Sequence, residues 1–374
     1  MLGNSFLFKF YYQWWKNIDK SIFILISLFF IIGLFFSLVS TSLVASDKLD
    51  TNSYSFFFKH LIYVLIGIII IFVFSSFKTD LLIRFSIILF FISFIFLILV
   101  PIIGVEVKGS KRWIDFFFLP RFQPIEVLKP FLIIILATIL SSSKINIISK
   151  YLLTIVLVSV ISILLINQPD IGQTLLVIFC WTVLIFTSGV NIYFLIFIFV
   201  LGSGLLAYLI IFIPKFDYIQ NRIFSFFNRD TGTHNFQSDK AIESITSGGF
   251  FGKGIGEGTL KSRVPEAHTD YIISVISEEF GVVAIILILL LFLIFIYMIF
   301  KKIMLETDNK IKLILIGSIS LILMQATIHI GVNIRLFPTT GMTLPFLSYG
   351  GSSIVSTSIL VGIILNLTKR KINL

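Results

Sequence analysis

The stretch Arg263-Val264-Pro265-Glu266-Ala267-His268-Thr269-Asp270 runs straight into an apolar span that opens at Tyr271. It brings a carboxylate and an imidazole to the edge of hydrocarbon. Ionisable side chains are costly there, so such a cluster points to function. A carboxylate so placed could take a proton from a hydroxyl as a general base. Thr269 or Asp270 could equally cap the helix that follows, since Thr and Asp both favour that position.

Four further constellations carry polar chemistry. The first is Lys108-Gly109-Ser110-Lys111-Arg112-Trp113-Ile114, followed by Gln123-Pro124-Ile125-Glu126-Val127-Leu128-Lys129-Pro130. Glu126 and Lys129 are spaced i, i+3 and share a helix face. Buried, they would pair, because an unpaired charge is costly. The pair is either structural or holds Lys129 ready for an anionic ligand. In the second, Asn167 to Thr174, Pro169 and Gly172 break a helix and Asp170 opens the next; a helix cap is the favoured reading. The third runs from Phe236-Gln237 through Ser247-Gly248-Gly249-Phe250-Phe251-Gly252-Lys253-Gly254-Ile255-Gly256. Its glycines allow tight turns and close backbone approach to a ligand. Their spacing is not a dinucleotide fingerprint, and no βαβ unit surrounds them. In the fourth, Gly341 to Ser353, Pro345 and Gly350-Gly351 interrupt a membrane segment, and its free N–H groups and hydroxyls, Ser348 and Ser352 among them, could hold a phosphate.

Hydrophobic residues make up 57% of the chain and charged residues 13%. Many apolar runs reach the ~20 residues that cross a bilayer, so the chain reads as an all-α polytopic membrane protein. Ten spans are expected, at 21–45, 57–77, 85–103, 127–143, 151–167, 171–190, 193–213, 271–300, 311–333 and 341–367. Residues 1–20 read as a cytoplasmic or interfacial segment, 21–367 as one membrane domain, 214–270 as a large extracytoplasmic loop between spans 7 and 8, and 368–374 as a basic tail. The first run is too long for the core of a signal peptide and reads as a retained span. The 43 Phe read as lipid-facing bulk.

Placing the N-terminus in the cytoplasm puts Lys78, Arg84, Lys144, Lys150, Lys301, Lys302, Lys310 and Lys312 in short inner loops, as the positive-inside rule asks. The net charge of +10 is then mostly a cytoplasmic anchor, with no nucleic-acid partner implied. Outer cations such as Lys111, Arg112, Arg121, Arg222, Arg229, Lys253 and Arg263 suit an anionic group at the outer surface, a lipid phosphate first of all. The alternative is a solvated loop of mixed charge. Glu278 and Glu279 fall inside the membrane and need partners, for which Gln325, His329 and Asn333 in the ninth span are candidates. The single Cys180 excludes a disulfide within the chain, and the four His show no metal-ligand spacing.

These motifs together resemble the SEDS family (shape, elongation, division and sporulation), the FtsW/RodA type. The matching stretches are KGSKRWI, QPIEVLKP, QPDIGQT, SGGFFGKGIG, PEAHTDYIISVISEEFG and PTTGMTLPFLSYGGSS, over residues 108–353. Ala267 in PEAHTD leans the resemblance to the division branch over the elongation branch. Ile125, Tyr271 and Val264 depart from commoner family residues, and Arg335 stands where a small residue is common. The resemblance implies a peptidoglycan glycosyltransferase. Such an enzyme polymerises lipid II at the outer face of the inner membrane, beside a class B penicillin-binding protein and other divisome proteins. Asp270 matches the catalytic carboxylate. Lys111, Arg112, Lys129 and Arg263 are candidates to balance the pyrophosphate, and Glu126, Gln237, Lys253, His268, Ser348 and Ser352 join them as candidate substrate contacts. No cofactor is expected in the chain, although a pyrophosphate substrate could bring Mg or Mn. A lipid II flippase, an elongation enzyme and a non-catalytic scaffold are the competing readings.

Overall fold

The computed structural model describes residues 2–48, 54–107, 109–116, 119–227 and 236–369. Lys108, Arg229 and the tail beyond Lys369 lie outside the described residues. Among those described, eight helices are long and apolar enough to cross a membrane. They are α2 (Lys20–Lys48), α3 (Ser55–Ser76), α4 (Thr79–Ile103), α5 (Pro124–Ser141), α6 (Ile147–Asn167), α8 (Ile192–Phe212), α11 (Ile272–Leu305) and α12 (Asn309–Asn333). Two shorter apolar helices, α7 (Ile171–Thr187) and α13 (Gly351–Leu367), complete the apolar set. The polar helices are α1 (Leu2–Asn17), α9 (Asp217–Phe227) and α10 (Phe236–Gly248).

Helices α5, α7, α12 and α13 form the interior, and α8 lies almost wholly on the outside. The buried residues of α3, His60, Val64, Gly67, Ile71, Phe74 and Ser75, follow one helical stripe that packs on α13. Gly67 permits this approach, since a Cβ there would stand 2.5 Å from Ser358 Oγ. Pro124 starts α5 where a missing N–H costs nothing. Asp308 caps α12, its Oδ1 accepting from Lys310 N at 2.8 Å.

Two expectations need correction. Residues 104–126 are not simply a loop. They hold a three-stranded antiparallel sheet, β1 (Val105–Val107), β2 (Ser110–Phe116) and β3 (Leu119–Phe122), in spatial order β1-β2-β3. Gly109, at φ +76, makes the first hairpin turn, a conformation that suits glycine. The last span is also shorter than 341–367: residues 341–350 are not helical, and α13 begins at Gly351. Gly341 and Phe346 both adopt positive φ there, which a continuous helix cannot accommodate.

Glu278 and Glu279 take their partners from residues 244–261 and not from α12. Glu278 accepts from Leu260 N at 2.8 Å, Lys261 N at 2.6 Å and Ser244 Oγ at 3.0 Å, and lies 3.4 Å from Lys253 Nζ. Glu279 pairs with Lys261, both fully buried. The glycines of the third motif serve the same contact. A Cβ on Gly248 would fall 1.9 Å from Ser277 O, and one on Gly252 2.1 Å from Glu279 O. Their closeness is to the main chain of α11. That helix is itself interrupted at Gly281 (φ 73, ψ −174), where Val282 N and Val283 N donate to the carbonyls of Gly249 and Phe250.

Candidate active site

Helix α11 starts at Ile272, and its cap position falls on Tyr271, so neither Thr269 nor Asp270 occupies it. Asp270 instead ends a tight turn in which its N–H donates to Glu266 O at 3.1 Å, Glu266 sitting at φ 55. The turn is pinned from two sides. Asn333 Nδ2 donates to Asp270 O at 3.0 Å, and Tyr349 N donates to His268 O at 3.1 Å. The Asp270 side chain then lines a cavity of about 910 Å³. Opposite it stands Gly341 (φ +68); a Cβ there would lie 3.5 Å from Asp270 Oδ2.

The cavity gathers four cations, Lys59, Arg112, Arg121 and Arg222, with Gln123, Glu126, Gln173, Gln237, Ser352, Thr339, Thr340 and Thr343. Strand β2 carries Arg112 and α9 carries Arg222. Arg112 Nε donates to Gln168 O at 3.0 Å, its fork also reaches Pro169 O, and it lies 3.9 Å from Asp170 Oδ1. Arg222 donates to Thr339 O at 3.3 Å. Burial, and next the charge of Arg112, hold the Arg222 guanidinium below its usual range. Two arginines that raise each other's cost in one cavity favour an anion between them.

Asp170 caps α7, accepting from Gln173 N at 3.4 Å, and takes a second bond from Gln123 Nε2 at 2.7 Å. Gln123 N donates to Ser352 Oγ at 3.0 Å, which ties the first and fourth motifs at the cavity wall.

Other candidates are placed elsewhere. Lys111 lies exposed on the sheet, and Arg263 is exposed beyond the cavity. Lys253 is joined to Glu278. Lys129 is buried against Glu126 and does not line the cavity. Ser348 is buried and accepts from Leu344 N at 2.9 Å. The His268 ring packs on Phe56 and near Tyr349, with centroids 4.3 and 6.1 Å away, behind the lining. Arg335 reaches Asp239 at 2.5 Å and fastens the last loop to α10. Lys59, Thr339 and Thr340 were not among the candidates from sequence. A lone cation in the first turn of an apolar span was the available signal for Lys59.

The fold and site together define a multi-pass helical membrane protein with a polar, cation-rich cavity beside the Asp270 carboxylate. A family model described as "Cell cycle protein", of the FtsW, RodA and SpoVE type, matches residues 19–373, and the chain belongs to that family. It is 34% identical over 341 residues to the probable peptidoglycan glycosyltransferase FtsW of Trichlorobacter lovleyi, covering 88% of this chain and 87% of that one. The Coxiella burnetii protein of the same name is also 34% identical, at 88% and 90% coverage. Among solved structures, a chain of a peptidoglycan synthase complex superposes with a TM-score of 0.76 at 24% identity, covering 94% of this chain and 97% of that one. The rod shape determining protein RodA of Thermus thermophilus superposes with a TM-score of 0.68 at 25% identity, at 94% and 96% coverage.

Proposed function

We propose that this chain is a peptidoglycan glycosyltransferase that polymerises lipid II at the outer face of the inner membrane during septal wall synthesis. The observation that carries this reading is the sharing of one cavity by Asp270, Arg112 and Arg222. Asp270 takes the proton from the acceptor sugar hydroxyl as its oxygen attacks the anomeric carbon of the donor. The bond from that carbon to the pyrophosphate oxygen breaks, and the electron pair leaves with the pyrophosphate. Such a leaving group needs charge balance more than a proton, and Arg112 and Arg222, with Lys59 and Arg121, provide it. A single displacement inverts the anomeric centre. The described residues contain no group of three or more His, Cys, Asp or Glu that could hold a metal. A magnesium or manganese ion, where needed, would travel on the pyrophosphate.

The same reading implies the topology. Helices α7 and α13, 17 residues each, span about 26 Å and complete ten crossings. Residues 214–270 then lie outside, both termini inside, and residues 1–20 lie along the inner interface with 368–374 as a basic tail. A class B penicillin-binding protein is the expected partner at the division septum, with other divisome proteins around it.

The test is polymerisation of labelled lipid II by the protein with its transpeptidase partner, wild type beside Asp270→Asn. Glycan strands from the wild type alone, with both complexes intact, support the reading. Normal polymerisation by Asp270→Asn refutes the assignment of the base. An intact wild-type complex that moves lipid II across vesicles without forming strands is a flippase.

A further inference from the structure

Gln325, His329 and Asn333 recur at i, i+4 and i+8 along α12, so they form one stripe of the helix. All three are buried, and none lines the cavity. Each bonds a main-chain carbonyl of a residue that does. Gln325 Nε2 donates to Thr343 O at 3.1 Å, His329 Nδ1 meets Met342 O at 2.7 Å, and Asn333 Nδ2 donates to Asp270 O at 3.0 Å. A carbonyl only accepts, so His329 Nδ1 carries a proton and donates it to Met342 O.

Irregular main chain at this depth must find partners within the protein. That need alone explains why some donor is present. It does not explain why all three donors come from one rigid helix and divide between the two cavity walls. One wall is the turn that ends at Asp270, and the other is the 339–343 segment. Asn333 Nδ2 also donates to His329 O at 2.8 Å, on its own helix, which fixes the orientation of the amide. Gln325 Oε1 accepts from Lys129 Nζ at 3.4 Å, so the stripe is anchored to the Glu126–Lys129 pair at its inner end.

We propose that this stripe is the positioning device of the reaction. It holds the main chain under Asp270 and the facing threonine-bearing wall at a set separation, so that bound substrate meets the base in register. The inference rests on the reading of Asp270 as the base. Asn333 acts on the base side and His329 on the substrate side, and substitutions at the two sites therefore have different kinetic signatures.

The experiment uses the full chain with its transpeptidase partner, lipid II as substrate, and hydrogen exchange on the same samples. Asn333→Leu is expected to raise exchange in the peptide 266–272 and to lower kcat about a hundredfold with KM unchanged, as a small misplacement of a reacting group does. His329→Leu is expected to raise exchange in 339–344 and to raise KM about tenfold, the effect of one lost hydrogen bond on the binding wall. Should Asn333→Leu fail to assemble, Asn333→Ser, too short to reach Asp270, reads the same peptides. Wild-type kinetics, or a general rise of exchange across all helices with a fall in melting temperature, would overturn the proposal. Asp270→Asn is the parallel control: if it polymerises normally, the base assignment fails, while the exchange pattern still reports on the stripe.

Discussion

Lys129 Nζ lies 2.9 Å from Glu126 Oε1 and 2.9 Å from Gln173 Oε1, with only 1% of the lysine side chain exposed. The ion pair is thus part of a closed polar knot that joins α5 to α7. Glu126 also accepts from Gln173 Nε2 at 2.5 Å. A lysine so occupied cannot reach a pyrophosphate without leaving a buried carboxylate behind. Removing one partner of such a pair costs about 3–5 kcal/mol, whereas replacing both with neutral groups is often nearly neutral. Lys129→Met is therefore expected to lower the melting temperature sharply in detergent, and the double variant Glu126→Gln/Lys129→Met to recover most of the loss.

Arg222 tests the anion site separately from the base. Its loss removes a charge-assisted contact worth about 1.5–3 kcal/mol, which corresponds to a rise in lipid II KM of roughly ten- to a hundredfold. Arg222→Gln is expected to show that rise together with a fall in kcat, since the same guanidinium balances the charge that develops on the leaving pyrophosphate, and a weaker dependence of KM on ionic strength than the wild type. Arg222→Lys should restore part of the affinity, since the charge returns without the fork.

The glycines of the long loop divide by what surrounds them. Gly256, at φ +85, has nothing within 4 Å of the place a Cβ would take, so Gly256→Ala costs only left-handed strain, about 1–2 kcal/mol. A Cβ on Gly248 would collide with Ser277 O at 1.9 Å. Gly248→Ala is expected to push α10 off α11 and to leave the protein aggregated. Size-exclusion profiles of the two variants check this contrast.

Asp170 gives a pH signature. Burial pushes its carboxyl above the ordinary value near 3.8, against the opposing pull of Arg112. An acid whose folded value is raised keeps its proton in the native state while the unfolded chain loses it. Stability from this group is full below the ordinary value and falls as pH rises through the window up to the raised one. Melting temperatures measured upward from about pH 4 should show wild type losing ground to Asp170→Asn, whose neutral amide does not titrate.

Most of the membrane architecture was legible because runs such as 57–77 and 311–333 announce themselves by length and apolarity. The short sheet was not, since β1 and β3 are brief and the sheet sits between two helices that dominate the pattern. The site was legible in part. Asp270, Arg112, Glu126, Gln237 and Ser352 fall on one cavity. Lys253 and Arg263 do not, because spacing along the chain does not show that Lys253 meets a carboxylate or that Arg263 is turned away from the cavity. Lys253 meets Glu278 across 25 positions, a pairing that only the break at Gly281 and the glycine contacts around it create. The partners proposed for Glu278 and Glu279 were misplaced for the same reason, and Gln325, His329 and Asn333 instead bond main-chain carbonyls of both cavity walls.

The break at Gly281 leaves two N–H groups of α11 that are answered by the carbonyls of Gly249 and Phe250, outside that helix. The segment before α11 is therefore spliced into the helix it precedes and is not a detachable module. Residues 248–252 and 277–283 must be inherited as a pair, and a chimera that exchanges one with a relative's sequence has to carry the other along.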